Sequence, residues 1–232
     1  MQIKSDKTSN AEIWEEIHLF DKANVIYPFH NIISFVLKNF DKSQSERFNF
    51  LDFGCGVGNH LKFLVENHYQ AYGVDISRSA VTKSKALISQ LDPSYPVDDR
   101  IIENEGSLPF PNNFFDCVLD RSALGQLISE EIGIMVSEFH RVLKPDGKYY
   151  GINFSDRNSE IWKSDYAGGG DFLNFKSAKF RGKGSRHFFS PLEVIERFSS
   201  FTLLDVRVSM DRSLMREDFF EEIVVIAQKS KL

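Results

Sequence analysis

Apolar residues recur at helical spacing twice near the start of the chain: Ile13, Trp14, Ile17 and Phe20 within 11–20, then Ile32, Ile33, Val36, Leu37 and Phe40 within 28–40. Steps of three and four residues line one face of a helix, so two amphipathic helices are predicted, followed by a polar linker over 41–47. The period then changes. Residues 48–53 form a short apolar run that ends in glycines, the mark of a buried strand. Beyond it the pattern alternates: helix over 59–67, strand over 70–75, helix over 78–91, strands over 100–104 and 114–119, helix over 130–143, and strand over 148–154 entered through the turn Lys144-Pro145-Asp146-Gly147. From 155 to 189 no period is sustained and the stretch reads as irregular. Ser190-Pro191 then opens a helix to about residue 199, with Ser as cap and Pro in the first turn. Strands over 201–208 and 222–228 follow, and their connection suits antiparallel pairing rather than a helical crossover. Strands alternating with helices predict an α/β fold: a doubly wound sheet of seven strands, mostly parallel, with an antiparallel final pair and N-terminal helices in front.

Composition narrows what such a fold can be doing. With 232 residues, 42% hydrophobic and 26% charged, the chain suits one sizeable soluble domain, and no apolar run is long enough to span a bilayer. The net charge of −5 argues against a general nucleic-acid binder, whose affinity rests largely on neutralising phosphates, and leaves room for a local basic patch. Phe is abundant, at 22 residues, and reads as core filler. Two cysteines, Cys55 and Cys117, support neither a disulfide framework nor a zinc cluster, and no metal site is expected. The polar opening residues lack the apolar core of an export signal, so a cytoplasmic location is expected.

Chemistry concentrates in Leu51-Asp52-Phe53-Gly54-Cys55-Gly56-Val57-Gly58, where a strand gives way to a helix. Glycines there let the backbone approach a ligand, and Asp52 suits a ligand bearing an ammonium group. A dinucleotide fingerprint would place its third glycine at the sixth position from Gly54, where this chain has Asn59.

The run from Asp52 to Gly58 resembles the first motif of class I S-adenosylmethionine-dependent methyltransferases, which have a Rossmann-like fold. Gly73-Val74-Asp75 ends the next strand, and the resemblance implies that Asp75 holds the two ribose hydroxyls, with Ile76 beside it. The stretch from Gly106 through Ser107-Leu108-Pro109 to Asp116 resembles the family's segment between the third and fourth strands. It implies an adenine site at Gly106, Ser107 and Leu108, with Ser where relatives commonly have Asp. Arg141-Val142-Leu143-Lys144-Pro145-Asp146-Gly147 matches the turn into the fifth strand, with Asp146 where Gly is common. The implied cofactor is S-adenosylmethionine, contacted by Asp52, Gly54, Cys55, Gly56, Gly58, Asp75, Ile76, Gly106, Ser107, Leu108 and Asp120. A single domain is expected, with 1–47 as helical cap, 48–154 as cofactor-binding core, 155–189 as substrate lid and 190–232 as the last helix and strand pair.

The expected reaction is in-line methyl transfer to oxygen or nitrogen of a small molecule, anionic or sugar-like in character. Asp120, at the end of the fourth strand, is the first candidate for acid or base work, and His187 the second. Other histidines carry weaker cases: His60 beside the methionine end of the cofactor, His140 as packing, and His18 and His30, like Tyr27, on or beside helices that cover it. Lys176, Lys179, Arg181, Lys183 and Arg186, interleaved with Phe175 and Phe180, form either a solvated surface or a mobile lid hinged at Gly168-Gly169-Gly170 that meets an anionic substrate. The competing readings are an RNA or protein substrate, and a cofactor-binding partner subunit without turnover. A DNA amino-methylase is disfavoured, because Asp120 is followed by Arg121-Ser122-Ala123 and not by Pro-Pro and an aromatic. A nicotinamide oxidoreductase is disfavoured by the glycine spacing.

Overall fold

A computed structural model describes residues 9–20, 27–177, 179–215 and 217–231. Helices α1 (Asn10–Leu19) and α2 (His30–Asn39) precede a chain of alternating elements. These are β1 (Asn49–Phe53), α3 (Asn59–Glu66), β2 (Gln70–Asp75), α4 (Arg78–Leu91), the short α5 (Val97–Arg100), β3 (Ile101–Glu103), β4 (Phe115–Arg121), α6 (Ser129–Val142) and β5 (Leu143–Phe154). Then come three short strands, β6 (Asp165–Gly168), β7 (Asp171–Leu173) and β8 (Arg186–His187), and finally α7 (Pro191–Arg197), β9 (Thr202–Arg212) and β10 (Phe219–Gln228).

The main sheet has seven strands in the order β3-β2-β1-β4-β5-β10-β9. The first five run parallel, and β10 lies antiparallel between β5 and β9, as the alternation predicted. Successive connections move outward from β1 to β3 and then cross back to β4, so the order reverses between β1 and β4. A crevice opens at such a switch point, outside the carboxyl ends of the strands. Packing follows from strand alternation. One face buries Phe115, Phe139, Tyr149 and Phe198 under α6 and α7, and the other buries Phe35, Phe50, Leu61 and Ile88 under α2, α3 and α4. Much of the Phe excess is thereby spent on two layers of core. At roughly 25 cal/mol per Å² of apolar surface, each fully buried Phe contributes about 2 kcal/mol or more.

Three local features depart from the sequence expectations. A turn of helix, α5, occupies the approach to β3, which is shorter than predicted. The strands β9 and β10 extend toward each other and leave only 213–218 between them. The stretch 155–189 is not irregular throughout: β6, β7 and β8 form a separate antiparallel sheet packed on Phe154, Phe175, Phe180 and Phe188. Gly168, Gly169 and Gly170, all at positive φ, make the tight β6–β7 turn. A side chain at Gly170 would strike the His187 ring, which marks close packing at this turn. Asp146 also sits at positive φ, 65°, which accounts for glycine being common there. No described helix is long and apolar enough to cross a membrane.

Candidate cofactor and active site

The loop after β1 is laid against the end of β2 by backbone bonds from Gly54 N and Cys55 N to Val74 O, at 2.9 and 3.0 Å. Gly54 has φ 69°, and a Cβ on it would overlap that of Ala123 from the turn after β4. The two loops at the switch point therefore touch through a residue that has no side chain. Beyond β4 the chain reverses at Ser122, also at positive φ, 60°, and held to Ile152 O at 2.8 and 3.0 Å. For a residue with a Cβ this conformation costs about 1–2 kcal/mol, which the surrounding hydrogen bonds offset.

Asp75 ends β2 and accepts from Gly56 N at 2.8 Å on Oδ2 and from Ser77 N at 2.9 Å on Oδ1. A carboxylate offers about four lone-pair sites, so each oxygen keeps capacity for one further donor. Burial pushes the Asp75 carboxyl up from the usual carboxylate range, against the pull of those two N–H groups. Asp52 is buried on β1. Its Oδ1 lies 3.2 Å from His60 Nδ1, and Phe29 N donates to His60 Nε2 at 3.4 Å, so the network places the imidazole proton on Nδ1, toward Asp52. The other oxygen, Asp52 Oδ2, is buried and accepts no hydrogen bond.

Between these loops, α1 and the small sheet runs a cavity of about 1570 Å³. Gly54, Cys55, Gly56, Asp75, Ile76 and Gly106 line one end of it, and Trp14, Phe154, Phe180 and Arg186 line the other. Helix α1 is its roof. Glu15 accepts from Ser77 Oγ at 2.7 Å and from Ser79 N and Oγ at 3.0 and 2.5 Å, tying α1 to the start of α4. The Ser79 hydroxyl, then its N–H, hold the Glu15 carboxyl below its usual range. Asn10 Nδ2 donates to Gln126 O at 2.6 Å and to Ser185 Oγ at 3.2 Å, which carries the roof across to the far end. Local sequence gave no signal for Glu15 or Asn10, whose partners lie more than 60 residues away.

Several expected site residues lie elsewhere. Asp120 is fully buried and does not line the cavity. Its Oδ1 accepts from Ala123 N and Leu124 N at 2.8 and 3.1 Å, and its Oδ2 from Tyr149 Oη and Asn153 Nδ2 at 2.8 and 2.7 Å. Four donors saturate it. Desolvation pushes its pKa up, and its four bonds tie the turn after β4 to β5. His187 is equally buried: Nδ1 lies 2.6 Å from Asp171 Oδ1 and Nε2 lies 2.8 Å from Glu193 Oε1, so both ring nitrogens are engaged. Arg197 completes this clamp by donating to Glu193 Oε1 at 2.6 Å and to Ser129 O at 2.9 Å. Leu108 belongs to the core and Ser107 points to solvent, whereas Asn104, Glu105 and Gly106 line the cavity in that region. Gly58 is a packing glycine against Ser84, and Cys55 does line the cavity, its thiol pushed well up by burial.

The orphaned Asp52 Oδ2, the glycine-rich loop at Gly54 to Gly58 and the half-used Asp75 carboxylate are groups that suit an ammonium, a sulfonium and a ribose diol, although Asp52 itself, 1% exposed, does not line the cavity. The comparisons agree. Residues 51–165 match the family described as methyltransferase domain. The fold matches a SAM-dependent methyltransferase of Methanosarcina mazei at a TM-score of 0.64 and 21% identity, over 89% of this chain and 100% of that one. A Burkholderia thailandensis 1,6-didemethyltoxoflavin-N1-methyltransferase, solved with 1,6-didemethyltoxoflavin and S-adenosylhomocysteine, aligns at 0.62 and 15% identity over 99% and 94% of the two chains. YxjB of Bacillus subtilis, provisionally named a 23S rRNA (guanine-N(1)-)-methyltransferase, is 30% identical over 151 residues, which are 62% of this chain and 48% of YxjB. The chain thus spans about half the length of that curated relative. The chain carries a class I S-adenosylmethionine-dependent methyltransferase domain.

Proposed function

We propose that the protein transfers a methyl group from S-adenosylmethionine to a small-molecule acceptor seated between α1 and the β6–β8 sheet. The observation that carries this reading is the extent of the cavity. At about 1570 Å³ it exceeds the roughly 300–1,000 Å³ typical of a pocket for one drug-sized ligand, and it continues past Ser122 to an aromatic wall. The residues that would hold the cofactor are Gly54 to Gly56 for the methionine end, with the buried Asp52 supplying negative charge toward the ammonium without lining the cavity, Asp75 for the ribose and Asn104 to Gly106 for the adenine. When bound, the cofactor supplies an electrophilic methyl carbon for in-line displacement. The chain's own work is then placement and exclusion of water, with α1 as roof and the apolar wall as floor.

Neither Asp120 nor His187 serves as base in this scheme. Chemistry without a positioned base favours an acceptor that brings its own lone pair, such as an amine or ring nitrogen, or a hydroxyl that is already acidic. An RNA acceptor fits less well. Arg186 is buried in the cavity wall and Lys183 is half-buried beside it, which leaves Lys176, Lys179 and Arg181 of this stretch exposed, and Lys179 lies over the Phe220 ring at 2.8 Å from its centroid. The test is calorimetric titration with S-adenosylmethionine and S-adenosylhomocysteine, followed by a tritium-transfer screen of amines, phenols and a structured RNA. Saturable binding with transfer to a small molecule is expected. Transfer confined to RNA would overturn the acceptor class, and absence of nucleoside binding would overturn the whole reading.

A further inference from the structure

Three arginine side chains stand near the cavity, Arg186 buried and two half-buried, and the half-buried two have carboxylates of their own. Arg197 donates to Glu193 at 2.6 Å, and Arg121 Nη2 lies 2.8 Å from Glu222 Oε1. Arg186 differs. It is 2% exposed, and among the described residues its Nε and Nη1 meet no acceptor and its one side-chain hydrogen bond is a long Nη2 contact of 3.4 Å to Lys183 O. Among the described residues no carboxylate forms an ion pair with it. Its guanidinium lies instead against three rings, 4.5 Å from the centroid of Phe180, 5.6 Å from Phe154 and 5.7 Å from Trp14. Trp14 Nε1 is a second buried donor without an acceptor in the same wall.

A buried cation with no counter-charge is unfavourable, and a merely structural arginine brings its own acid, as Arg197 does. The placement is also enforced. Residues 186 and 187 are neighbours on β8, where side chains alternate between faces, so the clamp that Asp171 and Glu193 set on His187 turns Arg186 toward the cavity. Lys183 adds like charge nearby, and burial holds its ammonium below the usual range. Even after burial pulls Arg186 down to about 9, it stays charged at neutral pH.

Building on the acceptor site proposed above, we infer that the methyl acceptor is a flat apolar molecule bearing an oxyanion, a carboxylate or phosphate, which Arg186 and the Trp14 N–H bind at the cavity wall that the touching rings of Phe154 and Phe180 form. The guanidinium gives direction and charge-assisted bonds, and the rings receive the flat body of the molecule. Arg186 is thus a specificity residue for the acceptor and stands apart from the cofactor end.

The chain has two tryptophans, and Trp162 is 60% exposed, so a Trp162→Phe background leaves Trp14 as the sole indole reporter. Protein saturated with S-adenosylhomocysteine is titrated with 4-hydroxybenzoate, phenyl phosphate and the neutral 4-hydroxybenzamide while Trp14 fluorescence is followed. At least one anionic probe should bind about tenfold or more tightly than the amide, and the pair of anions decides between carboxylate and phosphate. Arg186→Met should weaken that probe about tenfold or more, with Arg186→Lys retaining part of the affinity and S-adenosylhomocysteine affinity unchanged in both. Equal binding of charged and neutral probes, no binding of either anion, or an Arg186→Met variant that binds as before would overturn the inference. A protein that binds the anions but not the nucleoside would fail the methyltransferase reading while leaving the Arg186 site standing.

Discussion

Replacing Arg186 by Met should make the ligand-free protein more stable. Met keeps a long flexible apolar stem between Trp14, Phe154 and Phe180 and removes a charge that no described acid offsets. The magnitude follows from the pKa. Burial lowers Arg186 from the ordinary guanidinium range to about 9, and at about 1.4 kcal/mol per tenfold this corresponds to about 5 kcal/mol of penalty on the charged form. Losing the contacts with three rings returns about 1–2 kcal/mol, and imperfect packing of Met returns about 1 kcal/mol more. The net gain is about 2 kcal/mol. For a chain of this length each kcal/mol moves the melting temperature by about 2–4 °C, so the variant should melt roughly 4–8 °C higher by calorimetry near neutral pH. The pH dependence has a definite sign. The protonated guanidinium is the form burial disfavours, so the penalty is full below about 9 and fades as pH rises from there toward the ordinary guanidinium range. The gap between variant and wild type should therefore narrow above pH 9. A variant that melts at or below the wild type at every pH would refute the reasoning, because it would mean that the guanidinium is satisfied within the fold. The expected pattern, higher stability with lost acceptor binding, is the usual cost of a functional charge held in a dry place.

Other perturbations separate the parts of the site. Asp75→Asn keeps an oxygen for one of the Gly56 and Ser77 N–H groups but removes the charge, and should weaken S-adenosylhomocysteine by about tenfold or more in calorimetry with little change in melting; undiminished affinity would place the ribose elsewhere. Asp120→Ala leaves the Tyr149 hydroxyl, the Asn153 amide and two backbone N–H groups without their acceptor, at about 1 kcal/mol each, so a drop of roughly 8 °C or more is expected; a melting point unchanged alongside lost methyl transfer would return Asp120 to a catalytic role. Glu15→Ala should raise the S-adenosylhomocysteine dissociation constant about fivefold and speed amide exchange in α1, and slow exchange there would show that the roof is held by packing alone. Because the Glu15 carboxyl is held below its usual 4.5, the tie persists from neutral pH down to that value and is lost as pH falls further through the depressed pKa.

Asp120 illustrates where sequence reasoning about this site stops. Its place at the carboxyl end of β4 is readable from the pattern, and with it the edge of the sheet. The direction of its side chain is not, since it is set by donors from the following turn and from Tyr149 and Asn153 on β5. The adenine segment shows the same limit at a scale of a few residues, with Asn104 to Gly106 on the cavity wall where Ser107 and Leu108 were expected. His187 was noticed as a titratable side chain in a basic stretch, but its two carboxylates come from β7 and α7.

The sequence determined the layers, the order of strands and helices, the antiparallel final pair and the glycine loop with Asp52 and Asp75. Each of these rests on local rules: apolar period, turn chemistry, and backbone freedom at a strand-to-helix junction. Tertiary structure alone decided that α1 roofs the cavity, that Asp120 and His187 are saturated, and that Arg186 meets no acid among the described residues. Whether a charge or a polar group is satisfied depends on partners brought together from far along the chain, 172 residues apart for Trp14 and Arg186, and no local pattern carries that information.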